Sequence, residues 1–554
     1  MSEVVPPRAR LWERWIALLF GTAVLVASQL PVVWAWRAQW KGYHPQLEFT
    51  GALDTYAEET STYLGWMEQA REGRLLFIDR LTHEPHPRNY VNVLFAAMGW
   101  TARLSGTSAL AVYTLARPVL GAGLLLLLYL LATPLFHRPG ERLVCFFFLV
   151  LSGGWEGVAA LVGHHLSSLV WWSPEVNTVF SLIVFPHFIA ALSAIVGTIL
   201  LMMAAWSEEA RPWRARLAFA LGAGVVLVVL TFFHPYDVVP LVGTLLLAPV
   251  LLAAVRGGTL GRDLRLSGIA LMLFAPALLY NGWLFRHNPV FRSWDLQNPF
   301  PRASLLGLLI ALGIGLPLAV LSLAALRRME RPLLVLWAWL LSVLVGTYLP
   351  LRFQRKLLAG VQYPLAGLAA AGLFLVVLPA LSRGRPRAPA WAAAALALVL
   401  LPAHVATPYF VWRNEWARLR RCTFPCWLPT PLMAALRDLA GRPGAEAVVA
   451  ASYATGNVVP YTTGKRCVLG HYALTVDSKR REAELARFFN ETGEDDAWRR
   501  RILASWSTRY LVLGPYERAL GGFDPATRPW LKLLHVEGRG EAGETAVYEV
   551  SQYP

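Results

Sequence analysis

The sequence predicts a predominantly α-helical, polytopic transmembrane bundle of about 11 spans, followed by a small C-terminal extracytoplasmic α/β domain. Three observations predict it. The 554 residues are 56% apolar and only 16% charged, against about 25% charged in soluble globular proteins. Long uncharged runs recur up to Trp412, each near the roughly 20 residues needed to cross a hydrocarbon core of about 30 Å. Beyond Trp412 the composition becomes that of a soluble domain. The net charge is +16, but the basic residues sit in short clusters between apolar runs. They read as topology signals, and no nucleic-acid partner is expected.

Residues 1–36 are expected to form a cytoplasmic N-terminus and a first span. The run at 15–36 has 22 uncharged residues, longer than a signal-peptide core of about 7–15, so it reads as a retained span. Residues 37–107 form a first extracytoplasmic loop with amphipathic helices; its stretch 91–101 is apolar, too short to cross, and expected to lie along the membrane surface. Residues 108–412 form the multi-span domain, with runs at 118–136, 143–163, 186–206, 217–233, 238–255, 266–285, 303–326, 332–351, 357–381 and 388–412. The uncharged stretch 176–206 is too long for one span and divides at Pro186-His187, which predicts a second, interfacial helix in its first part. If the spans alternate, seventeen basic residues fall in the short segments on one side and six on the other. The N-terminus is therefore expected in the cytoplasm of a cell with this protein in its plasma membrane, and residues 413–554 outside. In that last domain 447–452, 466–469, 510–513 and 546–550 read as strands, and 478–489 and 496–506 as helices.

Ionisable groups at a membrane are costly and mark function by default. Asp54 opens the first outer loop, with Glu58 and Glu59 one turn later and Tyr63 beyond. A carboxylate there suits a general base or a cation, and an N-cap equally. His83-Glu84-Pro85-His86-Pro87 spaces two histidines around a carboxylate, but the prolines exclude the helix that would align them, so no strong metal motif exists and a divalent metal is left open. Glu156 follows Ser152-Gly153-Gly154-Trp155 inside an apolar run and must be paired or face a cavity. His187, His234 and Asp237 fall on the outer side; each alone suits a hydrogen-bonded structural role, and together they suit one polar cavity. Arg352, Arg355 and Lys356 run against the positive-inside bias. They suit phosphate or pyrophosphate, and also anionic phospholipid or pairing with Asp54 or Asp237. Cys422 and Cys426 face an oxidising compartment in this topology, which leaves a local disulfide open. Asn490-Glu491-Thr492 has the glycosylation pattern.

This order of elements resembles the GT-C superfamily of membrane glycosyltransferases and, more closely, a set of bacterial multi-spanning proteins related to it. The residues that carry the resemblance are Asp54 with Tyr63, Thr82-His83-Glu84, Pro186-His187-Phe188, His234-Pro235-Tyr236, Gln354-Arg355 with Gly360 and Pro364, Ser452-Tyr453 with Gly456-Asn457, and Gly470-His471. The resemblance implies that Asp54 is the catalytic base or a metal-binding group, and that Arg352, Arg355 or Lys356 holds a donor phosphate. Tyr63, Glu84, Glu156, His187, His234 and Asp237 would then line an acceptor cavity. It implies inverting transfer of a sugar from a lipid-linked polyprenyl-phosphate donor to an extracytoplasmic glycan, lipid or protein acceptor, among membrane lipids. The outer loops hold no Asp-x-Asp pair, and Trp171-Trp172 is followed by Ser173 rather than Asp; both facts weigh against oligosaccharyltransferase activity and a metal requirement. Two other classes stay open. A transporter or flippase for a lipid-linked saccharide predicts repeats and broken helices with polar groups near the midplane, and a non-catalytic envelope assembly protein shares the architecture without the chemistry.

Overall fold

A computed structural model describes residues 10–53, 57–207, 211–257, 259–382, 388–490 and 495–551. It is mostly helical. Among the described residues seven helices are long and apolar enough to cross a membrane: Leu11–Trp40, Ala109–Ala132, Pro186–Ala205, Trp213–Thr231, Pro235–Arg256, Leu260–His287 and Gln354–Ser382. The runs expected at 143–163 and 303–326 are each broken. Pro139–Leu151 meets Trp155–Leu161 at 78°, and Leu305–Leu312 meets Gly315–Arg328 at 82°. Glycines explain the breaks: Gly153 and Gly154 occupy the first, and Gly313, with φ +54°, turns the second. Counting each bent pair as one span gives nine among the described residues, where eleven were expected. The other two expected spans fall on Arg331–Gly346, whose 16 residues are short for a crossing, and on Ala388–Leu419.

One shorter helix differs from expectation in its surroundings, and a second closes tightly on its neighbour. Thr178–Val184 is a helix, but every residue in it is buried, where an interfacial helix would keep one face exposed. Val93–Ser105 is capped by the Asn92 side chain and buries Phe95, Met98, Gly99 and Ala102. A Cβ on Gly99 would lie 2.3 Å from the carbonyl oxygen of Met67, so only glycine lets this helix close on Ala57–Arg71.

The chain divides into two compact units. One comprises residues 1–30, 116–281 and 300–414, the other 31–115, 282–299 and 415–554. The first is helical and buries an ion pair: Arg142 donates to both oxygens of Glu13 at 2.7 Å, with both side chains at most 1% exposed. The second contains every strand: β1 Leu47–Phe49, β2 Trp427–Pro429, β3 Val448–Ala450, β4 Arg466–Cys467, β5 Thr508–Leu513, β6 Leu531–Glu537 and β7 Thr545–Val550. β1 pairs antiparallel with β2, tying the first loop to the start of the C-terminal region. The other five form a sheet in the order β4-β3-β5-β7-β6, parallel among β4, β3 and β5 and antiparallel across β7 and β6.

Alternation along the strands feeds two cores. Val449, Tyr510, Val512 and Val547 pack with Leu432, Leu436, Val458 and Leu81 on one face. Val448, Ala450, Leu511, Leu513 and Tyr548 pack with Phe488, Phe489, Leu503 and Trp506 on the other. The strands and helices expected in this domain are present, together with β6 and the helices Thr430–Ala440 and Tyr453–Thr463, which the sequence reading left out. Cys422 and Cys426 are not joined by a disulfide.

Candidate functional site

Each unit gathers a group of the residues singled out in the sequence. In the helical unit the group is cationic. The segment Leu349–Gly360 leaves the helix Arg331–Gly346 through turns, and residues 300–302 strap it: Phe300 N–H donates to Arg352 O at 2.7 Å, and Arg355 N–H donates to Phe300 O at 3.2 Å. The strap sets the Phe300 ring under two cations. The Arg355 guanidinium lies 4.0 Å from the Trp172 ring centre and 4.8 Å from that of Phe300. Lys356 Nζ lies 4.3 Å from Phe300 and 5.6 Å from Tyr236. Arg352 is exposed, and Arg355 and Lys356 are half-buried.

Tyr236 links this pair to the histidines. It belongs to the turn Pro235–Asp237, in which His234 Nδ1 and Asp237 Oδ2 are 2.8 Å apart and both residues are buried. The His187 ring sits 5.9 Å from that of His234, at the second position of the helix Pro186–Ala205, whose first position is proline. Arg355, Lys356, His187, His234 and Asp237 thus form one neighbourhood. Glu156 lies in the first turn of the helix Trp155–Leu161, just past the first break, with Thr407 donating to its Oε1 at 2.9 Å.

In the other unit the group is acidic. Asp54 lies outside the described residues. The helix Ala57–Arg71 follows it, and its first turn is clasped by the C-terminal domain. Tyr453 O–H donates to Glu58 at 2.5 Å, and Asn457 Nδ2 donates to the Glu58 carbonyl at 3.2 Å. Glu59 accepts from Tyr472 at 3.3 Å and Tyr63 at 3.5 Å, with His471 Nε2 also 3.5 Å away. Tyr472 further reaches Asn298. Burial alone would push the His471 pKa down, but Glu59 beside it, with Glu58 and Asp79, raises it above its ordinary value. Close backbone contact places the clasp: a Cβ on Gly456 would lie 1.8 Å from Leu469 O, and one on Gly470 2.7 Å from Gly456 O.

The His83-Glu84-Pro85-His86 segment is occupied with structural work. Glu84 pairs with Arg481 at 2.7 Å and with His83 at 3.4 Å. Both ring nitrogens of His86 are engaged, one with Glu84 O at 2.8 Å and one accepting from Asp79 N–H at 2.9 Å. Burial holds His83 and His86 down at about 4. Among the described residues no three His, Cys, Asp or Glu side chains group as a metal site.

Sequence reasoning missed the rings that hold the cations and two of the tyrosines that hold the carboxylates, Tyr453 and Tyr472. Tyr236 and Tyr453 lay within the quoted motifs, and Trp172 beside Ser173. Phe300 carried no signal, because its role depends on a pairing with a segment some fifty residues later.

No family model and no curated protein sequence matches the chain. Its structure is similar to that of ArnT from Cupriavidus metallidurans in the apo state, over 98% of each chain at 13% identity with a TM-score of 0.54. The same protein bound to undecaprenyl phosphate matches over 97% of this chain and 98% of that one, at 13% identity and a TM-score of 0.54. The archaeal oligosaccharyltransferase AglB from Archaeoglobus fulgidus, in complex with an inhibitory peptide and a dolichol-phosphate, matches over 98% of this chain and 75% of that one, at 12% identity and a TM-score of 0.53. The chain therefore shares the fold of these two neighbours.

Proposed function

We propose that the protein is an inverting glycosyltransferase that moves a sugar from a polyprenyl-phosphate donor to an acceptor at the outer surface of the plasma membrane. The observation that carries this reading is the pair Arg355 and Lys356, held on the faces of Trp172, Phe300 and Tyr236. A guanidinium stacked on a ring uses its face, and its N–H edge suits a phosphate. That neighbours of the same fold carry undecaprenyl phosphate and dolichol-phosphate supports a lipid phosphate as the ligand. In this reading the N-terminus is cytoplasmic and the C-terminal domain extracytoplasmic.

Asp54 takes the proton of the acceptor hydroxyl as that oxygen attacks the anomeric carbon opposite the phosphate. The new C–O bond forms as the bond from the anomeric carbon to the phosphate oxygen breaks, and the electron pair leaves with the phosphate. Arg352, Arg355 and Lys356 stabilise the charge that grows there. His187, His234 and Asp237 line the acceptor side, and the Glu58 and Glu59 clasp sets the helix that follows Asp54.

Transfer of radiolabelled sugar from a panel of polyprenyl-phosphate donors in proteoliposomes tests this. Asp54→Asn is expected to slow transfer about 10²–10⁴-fold, and Arg355→Ala about 10²–10³-fold. Transfer that survives Asp54→Asn unchanged sinks the mechanism. One observation favours a second reading, a transporter for a lipid-linked saccharide: two broken helices with a buried carboxylate between them are what such a protein needs. Donor movement across the bilayer without transfer would select it.

A further inference from the structure

The two helix breaks meet, and Glu156 sits where they do. The backbones touch through glycines: a Cβ on Gly313 would lie 2.8 Å from both Gly153 O and Gly154 Cα. The Glu156 carboxylate, 0% exposed, turns back into this contact. Its Oε1 accepts from Gly154 N–H at 3.1 Å and from Thr407 O–H at 2.9 Å. That would satisfy a cap, but a cap needs only one oxygen. Oε2 is buried and has no hydrogen-bond partner among the described residues. Nor does any Arg, Lys or His among them form an ion pair with Glu156.

What Oε2 faces is more oxygen. The position a Gly154 Cβ would take is 2.2 Å from Glu156 Oε2, 2.5 Å from Ile310 O and 2.8 Å from Ala311 O. Thr407 Oγ1 lies 3.4 Å from Gly154 O, and the Ser168 hydroxyl is close to the same carboxylate. One carboxylate, two hydroxyls and several backbone carbonyls therefore converge inside an apolar helix bundle. Acceptors facing acceptors repel unless a cation or a proton lies between them. Carbonyls at helix breaks together with a carboxylate and hydroxyls are the ligand set that membrane proteins use for small cations.

We propose that Glu156, with Thr407, Ser168 and the carbonyls of the two breaks, forms a binding site for a monovalent cation of the size of Na⁺. A single carboxylate balances one positive charge and not two, and among the described residues Glu156 belongs to no group of three or more Asp, Glu, His or Cys side chains of the kind that holds a metal ion. The glycine-to-glycine contact leaves little room, which selects the smaller alkali ion. The bound ion ties three segments together: the break after Leu151, the break after Leu312, and the helix Ala388–Leu419. Binding to the folded state alone then stabilises it by mass action. The site is independent of the phosphate group and of whether the protein transfers or transports.

The test is thermal unfolding of the full-length protein in detergent, in NaCl, KCl or choline chloride at matched ionic strength, beside saturation binding of ²²Na⁺. Sodium is expected to raise Tm by about 3 °C or more over choline, Glu156→Gln to remove the rise, and ²²Na⁺ to bind saturably. Thr407→Val, which keeps the carboxylate, is expected to weaken ²²Na⁺ binding several-fold and covers the case in which Glu156→Gln does not fold. Identical Tm in the three salts without saturable ²²Na⁺ binding overturns the site in favour of a protonated Glu156. A sodium shift that survives Glu156→Gln overturns it in favour of another locus.

Discussion

Two groups of cations, one in each unit, are held by different means. In the helical unit Arg355 and Lys356 rest on the faces of Trp172, Phe300 and Tyr236. In the other unit Arg80 meets Glu72 at 2.9 Å and Arg481 meets Glu84 at 2.7 Å, edge to carboxylate. A carboxylate partner neutralises a cation and occupies its N–H donors; a ring attracts it and does neither. In the proposed function the carboxylate-held cations serve the fold and the ring-held ones serve a charged ligand. The ring-held group belongs to the unit that also carries most of the candidate spans, where a lipid-linked anion would be met.

Arg355→Ala gives the largest contrast. Transfer is expected to fall about 10²–10³-fold, with Tm little changed if the side chain serves the ligand and not the fold. Arg355→Lys tests the geometry, since an ammonium keeps the charge but not the planar fork. If Arg355→Ala instead unfolds the protein while the folded fraction transfers normally, the division between structural and functional cations fails.

Tyr453→Phe probes the acidic counterpart. It removes the hydroxyl that donates to Glu58 at 2.5 Å, and a hydrogen bond to a charged group contributes about 1.5–3 kcal/mol. For a unit of this size that is a Tm loss of about 2–4 °C for each kcal/mol. A rate change without that loss would move Tyr453 from support into chemistry. Arg481→Ala should do less, about 0.5–1 kcal/mol, because the Glu84 side chain is 33% exposed and water screens the pair. Transfer rates should not move.

The same contrast marks what could be read from the sequence. Spans, the C-terminal domain and four of its strands follow local rules, hydropathy over about 20 residues or alternation over five, and these were legible. The breaks were half legible: Ser152-Gly153-Gly154 announced one, but Gly313 stands within a run of apolar residues and betrays its break only through φ. The cations were singled out because they offended the positive-inside rule, yet their ring partners come from segments far away in the chain. Glu59 was passed over in favour of Asp54, although it gathers Tyr63, His471 and Tyr472. Local sequence shows which residues are costly to place, and only the fold shows what compensates them.

The smallest effect concerns pH. Glu59 and its neighbours raise the pKa of buried His471 above the ordinary 6.5. The folded state thus holds that proton more tightly than the unfolded chain. Its stabilisation is fully present below 6.5 and is lost as pH rises through the raised value. Asp79 acts in the same sense: burial lifts it from 3.8 to about 7, so its share declines between those values as pH rises. His83 and His86, held at about 4, act in the opposite sense and remove stability as pH falls below 6.5. The profile of the natural protein therefore combines opposing slopes, and the difference from Glu59→Gln isolates one of them. Loss of the Tyr472 and Tyr63 bonds gives that variant an offset that does not vary with pH. Loss of the His471 pairing adds a deficit that is largest on the acid side and vanishes on the alkaline side. Tm measured across that range in both proteins reads the two apart, and a deficit that stays flat would mean that His471 carries no proton in the clasp.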